Sequence, residues 1–265
     1  NAVRSVKYAD RHLLPQSTIY VTLEPCSHYG KTPPCCDMII KEGIKRVVIG
    51  VTDNNECVNG AGIARMKKAG IEVVVGLLEN ECVAINRPFF TYNRLARPFV
   101  TLKWAQTADG FIDVMRDGGT PLCISTPVSQ VAVHKLRAEH DAILVGTRTA
   151  LLDNPSLNLR HWTGRAPLRL VIDRKGVLPA SLNLFDGSLP TIVYTENSVV
   201  GKFGKNIEQF ILDFSSDVPA QILSHLHSLK IQSLLVEGGA QLLQSFIDAS
   251  LWDNARVEVN KSLVV

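Results

Sequence analysis

TLEPCSHYGKTPPC, residues Thr22 to Cys35, begins inside a β-rich run, Ser17–Leu23 (STIYVTL), and ends where a helical pattern, Pro34–Glu42, starts. Pro34 falls near the first turn of that pattern and Gly43 just past its end, as helix punctuation requires. The stretch is therefore a strand-to-helix loop carrying Cys26 and Cys35, with Cys36 beside the second. Thiolates are zinc ligands, and a catalytic zinc keeps one position open for water. Cys35 sits where the helix begins, and free N–H groups and the helix dipole favour a thiolate there. Cys36 points elsewhere on the helix and is expected in the core.

Outward from this loop the pattern alternates. Lys45–Val51 (KRVVIGV) reads as a buried strand and Ala61–Ala69 as a helix closed by Gly70. Ile71–Gly76 (IEVVVG) reads as a strand, and Glu79–Asn93 as helical at least up to Pro88. A strand–helix–strand–helix–strand order predicts a mainly parallel sheet covered by helices. Tyr92–Pro98 (YNRLARP) is polar and basic and marks a boundary, giving domains over 1–93 and 98–265. The pattern then restarts. Strands are expected at Phe99–Ala105, Phe111–Val114, Asp141–Gly146, Leu168–Asp173, Thr191–Tyr194, Ser233–Glu237 and Arg256–Val259. Thr107–Gly110 (TADG) reads as a turn. Helices are expected at Thr126–Ala138, capped by Ser125 or Thr126 with Pro127 first, and at Val218–Leu229 and Ala240–Ala249.

The composition narrows the class. The 265 residues are 46% hydrophobic and 20% charged, which is ordinary for one or two globular domains. A net charge of +3, with the basic residues dispersed, argues against a nucleic-acid partner. The longest apolar runs, such as Ile71–Leu78, are too short to span a membrane, and no secretory signal is seen. Six cysteines (Cys26, Cys35, Cys36, Cys57, Cys82 and Cys123) form no disulfide framework, so a reducing cytoplasmic location is expected.

Two charges stand out in the second half. Lys103 lies inside the apolar run FVTLKWA and Glu237 ends SLLVE. A charge among buried strands costs several kcal/mol unless it is paired. The two are therefore expected to face each other or a substrate. Gly238-Gly239 follows the strand and precedes a helix, where backbone N–H groups can approach a phosphate.

Zinc-dependent base deaminases carry an H-x-E motif and a later P-C-x-x-C motif. Here Pro25-Cys26 begins the second motif, but the next cysteine is nine residues on and the run ends in TPPC. Over these fourteen residues the chain resembles the deaminases of riboflavin biosynthesis. The resemblance makes Cys26 and Cys35 two zinc ligands and leaves His28 a pocket-lining or structural residue. It also places a His-Ala-Glu just upstream of a segment like Asn1-Ala-Val. His12 lies too far downstream for that histidine, and no H-x-E occurs among the 265 residues. The chain as given is thus expected to lack the third zinc ligand and the proton-shuttling glutamate.

The second half resembles the dihydrofolate-reductase-like reductase domain of the same bifunctional family. The matching stretches are Thr101–Gly110, Arg137-Ala138, Ala142–Gly146, Thr149–Pro155, Leu157–Arg160 and Leu235–Ala240. The fold implied is a cytidine-deaminase-like three-layer α/β/α domain, N-terminally incomplete, followed by that α/β reductase domain. NADPH would be lined by Ala105, Thr149, Asp153, Gly239, Ala240, Gln241, Leu242, Leu243, Gln244 and Ser245. Arg137 and Arg160 would hold a substrate phosphate through their guanidinium forks, with Leu157 and Glu237 also on the substrate. Lys103 and Glu237 would be catalytic. The family's Ser-x-Trp falls at Pro121 and Cys123, a departure at two contacts.

The resemblance implies zinc-dependent hydrolytic deamination of a phosphoribosylaminopyrimidine, then NADPH-dependent reduction of its ribose to a ribityl chain. A small phosphorylated pyrimidine is the expected partner, in a homo-oligomer, with no nucleic acid or membrane. A reductase beside an inactive deaminase half is the rival among enzymes. A tRNA-editing-type deaminase is the rival from another class, disfavoured by the Cys26–Cys35 spacing and by the whole second domain.

Overall fold

The computed structural model describes residues 2–29, 32–53, 60–115, 121–199, 201 and 203–265. Asn1 and Cys57 lie outside them. The chain divides into two compact units, Asn1–Arg94 and Leu95–Val265.

The first unit runs α1 (Ala2–Ser5), a 3-10 stretch (Tyr8–Gln16), β1 (Thr18–Leu23), α2 (Cys35–Lys41), β2 (Arg46–Val51), α3 (Ala61–Lys68), β3 (Glu72–Val75), α4 (Glu79–Ile85) and α5 (Arg87–Leu95). The three strands form a parallel sheet in the order β1-β2-β3. β2 is buried from Val47 to Val51, as a central parallel strand requires. Cys36, Ile39, Ile44, Val47, Ile49 and Met66 form the core beside it. The helical run expected over 79–93 is two helices, because the turn at Asn86 ends the first and Pro88 opens the second.

Two glycines let this unit close. A Cβ on Gly50 would meet Cys82 Sγ at 2.1 Å, so α4 presses directly on β2. A Cβ on Gly62 would meet the Pro25 carbonyl at 2.1 Å, so α3 presses on the Glu24–Cys26 loop. Glu24 secures the same junction. Its buried carboxylate accepts the backbone N–H groups of Asp53, Gly60 and Ile63 at 3.1–3.3 Å.

The second unit contains β4 (Phe99–Thr107), α6 (Pro127–Ala138), β5 (Ala142–Val145), α7 (Thr147–Asp153), β6 (Leu168–Ile172), a short 3-10 turn (Asn183–Phe185), β7 (Thr191–Thr195), β8 (Ile207–Ile211), α8 (Val218–Ser228), β9 (Ser233–Val236), α9 (Ala240–Asp248) and β10 (Asn254–Asn260). Its seven strands are all parallel, in the order β10-β4-β9-β5-β6-β7-β8. β5 and β9 are buried at every position, which explains their unbroken apolar sequence. Leu235 sits between Thr101 of β4 and Ile143 of β5.

Helix starts follow their caps. Thr126 accepts from Ser129 N in a capping box with Pro127 first, and Asp217 accepts from Ala220 N. Arg169 of β6 is fully buried. It donates to Thr191 Oγ1, Asp186 Oδ1 and the carbonyls of Ser156, Asn183 and Leu189, so its planar fork ties the α7–β6 and β6–β7 connections to the sheet.

The segment Phe111–Val114 is not a strand. TADG does turn the chain, with Thr107 N donating to the Phe111 carbonyl and Phe111 N to Thr107 Oγ1. Past it the side chains line a cavity instead of pairing with a neighbour. No helix among the described residues is long and apolar enough to cross a membrane.

Candidate functional site

A cavity of about 1010 Å³ opens in the second unit along β4, the β9–α9 turn and α7. In parallel α/β sheets the carboxyl ends of the strands, where strand order switches, form such crevices. Lys103, Ala105, Thr149, Asp153, Glu237, Gly239, Ala240, Gln241 and Leu243 all line it. Leu242 is packed in the core, Gln244 donates to Asp248 on the surface, and Ser245 donates to the Leu242 carbonyl. Those three stand away from the cavity, so one face of α9 lines it and the rest does not. Trp104, Phe111, Ile112, Leu122 and Ile124 supply apolar wall.

The β9–α9 turn is shaped as a cradle. Gly239 has φ 78° and ψ 122°, a conformation that favours glycine. A Cβ on Gly238 would meet Thr149 Cγ2 at 3.2 Å, and one on Gly239 would meet Thr149 Oγ1 at 3.2 Å. No side chain among the described residues caps α9, which leaves its first N–H groups available to a ligand.

Glu237 and Lys103 line the same cavity, but no hydrogen bond among the described residues joins them. Arg137 takes the carboxylate instead. Its Nε donates to Glu237 Oε1 at 3.0 Å and its Nη2 to Oε2 at 2.6 Å, with 13% and 6% of the two side chains exposed. Nη1 reaches the Asn158 carbonyl at 3.5 Å. Of the two alternatives, a mutual pair or a shared site, the structure does not form the pair, while both side chains line one cavity. Glu237 ends β9 and Arg137 rides α6, and a bidentate fork satisfies both. Lys103 has Glu258 as its charged neighbour. Burial alone would raise the Glu258 carboxyl, but hydrogen bonds from Ser129 and Ser125 and the charge of Lys103 outweigh it and hold it low. Ser125 Oγ donates to Glu258 at 2.7 Å.

Arg160 and Leu157 lie off the cavity, on the segment beyond α7. Leu157 is buried yet held at φ 49°. That conformation costs a non-glycine residue about 1–3 kcal/mol. The Asn158 Oδ1 atom is buried with no hydrogen-bond partner among the described residues. Gln130, Arg148 and Ser125 line the cavity and carry no motif signal; only their adjacency to Thr149 and to the α6 cap would have pointed to them. Cys123 lines the rim, while Pro121 is exposed and does not.

In the first unit the loop folds back so that Cys35 N donates to Cys26 Sγ at 3.3 Å. Burial, then the hydrogen bond with Cys26, pushes the Cys35 thiol up, opposite to the helix-end effect expected from the sequence. Cys36 is fully buried in the core and His28 is exposed. The described residues hold no group of three metal-ligating side chains. Two thiols are one donor short of a catalytic zinc set. These residues alone therefore do not fit the metal.

Comparison with known proteins places both units. Residues 98–261 match the model of the RibD C-terminal domain, and residues 1–51 match the cytidine and deoxycytidylate deaminase zinc-binding region. The chain is 40% identical over 241 residues to the riboflavin biosynthesis protein RibD of Aquifex aeolicus, covering 89% of this chain and 67% of that one. The Bacillus amyloliquefaciens RibD is 40% identical over 242 residues, 89% of this chain and 65% of its own length. A crystal structure of a Thermotoga maritima diaminohydroxyphosphoribosylaminopyrimidine deaminase/5-amino-6-(5-phosphoribosylamino)uracil reductase aligns with TM-score 0.77 and 42% identity, over 88% of this chain and 64% of that one. Acinetobacter baumannii RibD aligns with TM-score 0.85 and 30% identity, over 97% and 73%. The chain spans about two thirds of the length of these relatives.

Proposed function

The chain belongs to the RibD family of riboflavin-biosynthesis proteins, and from that premise we propose that its second unit is an NADPH-dependent reductase. Its substrate would be a phosphorylated ribosylaminopyrimidine of the kind named for the Thermotoga relative. The first unit is similar over residues 1–51 to the deaminase zinc-binding region, and no catalytic step is assigned to it.

The observation that carries the reductase reading is the Gly238-Gly239 cradle. Two consecutive positions where a Cβ would crowd Thr149 sit at the mouth of the cavity, beside the uncapped N-terminus of α9. Backbone N–H groups there can bind cofactor phosphate at close range, and the helix dipole favours the anion. Thr149 and Asp153 of α7 and Ala240, Gln241 and Leu243 of α9 complete the walls. These residues fit NADPH, which when bound supplies the hydride for the opened ribose C1.

The other roles belong to the chain. The apolar wall from Trp104 to Ile124 keeps water from the reacting carbon. Lys103 Nζ holds a proton beside it, and its positive charge offsets the negative charge that builds as hydride arrives. Glu237, fixed by Arg137, accepts a ribose hydroxyl and orients the sugar. Arg137 and Arg160 hold the substrate phosphate, Arg137 by its remaining donor capacity and Arg160 by its exposed fork.

NADPH titration of the purified chain tests the reading. Micromolar binding, competed by NADP+, supports it; no binding up to millimolar concentration refutes it.

A further inference from the structure

His134 has no place in the roles above, yet it lies in the middle of them. It sits on α6 one turn before Arg137 and is 4% exposed. Its Nδ1 lies 3.1 Å from the backbone nitrogen of Arg160, whose N–H donates to it. An imidazole nitrogen that accepts is unprotonated, so the proton of the neutral ring is on Nε2. The ring also meets His161 edge-on, with centroids 4.9 Å apart at 85°.

α6 therefore grips the segment 158–160 at two points, the Asn158 carbonyl through Arg137 and the Arg160 amide through His134. The grip holds a segment whose Leu157 is kept in the left-handed region. Leu157 is anchored in the core by its own side chain, and the two α6 contacts fix the backbone that follows it up to Arg160.

We infer that His134 is a positioning residue for substrate phosphate: as an obligate acceptor it fixes the Arg160 backbone in register with Arg137. This rests on the proposed reading that Arg137 and Arg160 hold the phosphate. His134 is 4% exposed, so no contact with substrate or cofactor is assigned to it.

The placement of the acceptor gives a discriminating test. Asparagine puts an oxygen where Nδ1 stands, glutamine puts its polar atoms one bond further out, and leucine has none. The assay is steady-state reduction of 5-amino-6-(5-phosphoribosylamino)uracil by the full chain, with NADPH affinity and thermal midpoint measured alongside. We expect His134→Leu and His134→Gln to raise the substrate KM roughly tenfold, the worth of one such bond. NADPH Kd and kcat should stay within about twofold. His134→Asn should return KM close to the parent value. KM unchanged in His134→Leu overturns the inference, as does a KM rise matched by equal losses in kcat and NADPH affinity. If His134→Leu fails to fold, the Asn and Gln variants decide it between them, and equal KM values in those two overturn it. Arg160→Met separates the underlying reading. An unchanged KM there refutes the phosphate site itself, whereas a raised KM there with no effect at His134 refutes only the positioning role.

Discussion

Gly239→Val would place a branched side chain at φ 78°, with its Cβ 3.2 Å from Thr149 Oγ1. Two costs follow, and they are separable. The backbone conformation costs a non-glycine residue about 1–3 kcal/mol, which in a domain of this size lowers the melting temperature by roughly 2–10 °C. The second cost falls on the cofactor. Valine methyls would occupy the space through which phosphate reaches the α9 amides. One charge-assisted hydrogen bond lost is about 1.5–3 kcal/mol, so NADPH Kd should rise roughly ten- to hundredfold. Titration by fluorescence and calorimetry would read the second, and a thermal scan the first. Gly239→Ala carries the strain with less bulk and should lose less affinity. Pairing it with Thr149→Ala removes the Oγ1 contact while leaving the strain. Parent-like NADPH affinity in Gly239→Val would refute the cradle, and the cofactor would then have to lie elsewhere.

Three further outcomes follow from the packing. Glu237→Gln keeps shape but removes the charge that Arg137 grips at 2.6 Å; single-turnover reduction should slow more than NADPH binding weakens, and an equal loss in both would count against a substrate-side role. Arg169→Met strips five bonds from loops around a fully buried guanidinium; a loss on the order of 3–5 kcal/mol in urea unfolding is expected, and a loss under 1 kcal/mol would show that these loops hold without it. Burial, then the charges of Arg137, His161 and Arg160, pushes His134 down to about 4, against the pull of Glu237. Between that value and the ordinary 6.5 the unfolded chain binds a proton that the folded chain refuses. The contribution is complete above pH 6.5 and is lost as pH falls towards 4, on the order of 2 kcal/mol by pH 5. His140 and His225 are also pushed down by burial, so the comparison must be with His134→Asn, whose stability should fall less from pH 7 to pH 5; identical slopes would refute the assignment.

Most strands were legible in the sequence, the edge strands β1, β3 and β10 included, and the central ones most plainly. Ala142–Val145 and Ser233–Val236 are apolar at nearly every position because both faces are covered. Ile207–Ile211 was not legible: IEQFI is an edge strand with half-exposed faces and reads like many surface segments. Phe111–Val114 misled for the converse reason, since apolar side chains that line a cavity leave the same trace as a strand. At the site, the Gly238-Gly239 turn and the charges at Lys103 and Glu237 were visible as local irregularities. The Arg137–Glu237 pair was not, because its partners are 100 residues apart and meet only once the strand order is known. His134 was invisible for a related reason. A histidine on a helix gives no sign of which distant amide it accepts.

The insertion of β9 between β4 and β5 also sets a schedule for making the protein. Translation produces β4 and β5 early, but neither can dock on the other, because the strand that joins them has yet to be synthesised. About 90 residues separate Val145 from Ser233, a delay of roughly 4–18 s at ordinary elongation rates. Throughout that interval two apolar strands have open edges, the condition under which nascent chains pair with the wrong neighbour. A fragment ending before Ser233 therefore holds β5 to β8 as an open sheet and β4 with neither of its strand partners, rather than a smaller domain. The stretch from Ser233 onward serves as the closing stone of an arch whose two sides cannot stand alone.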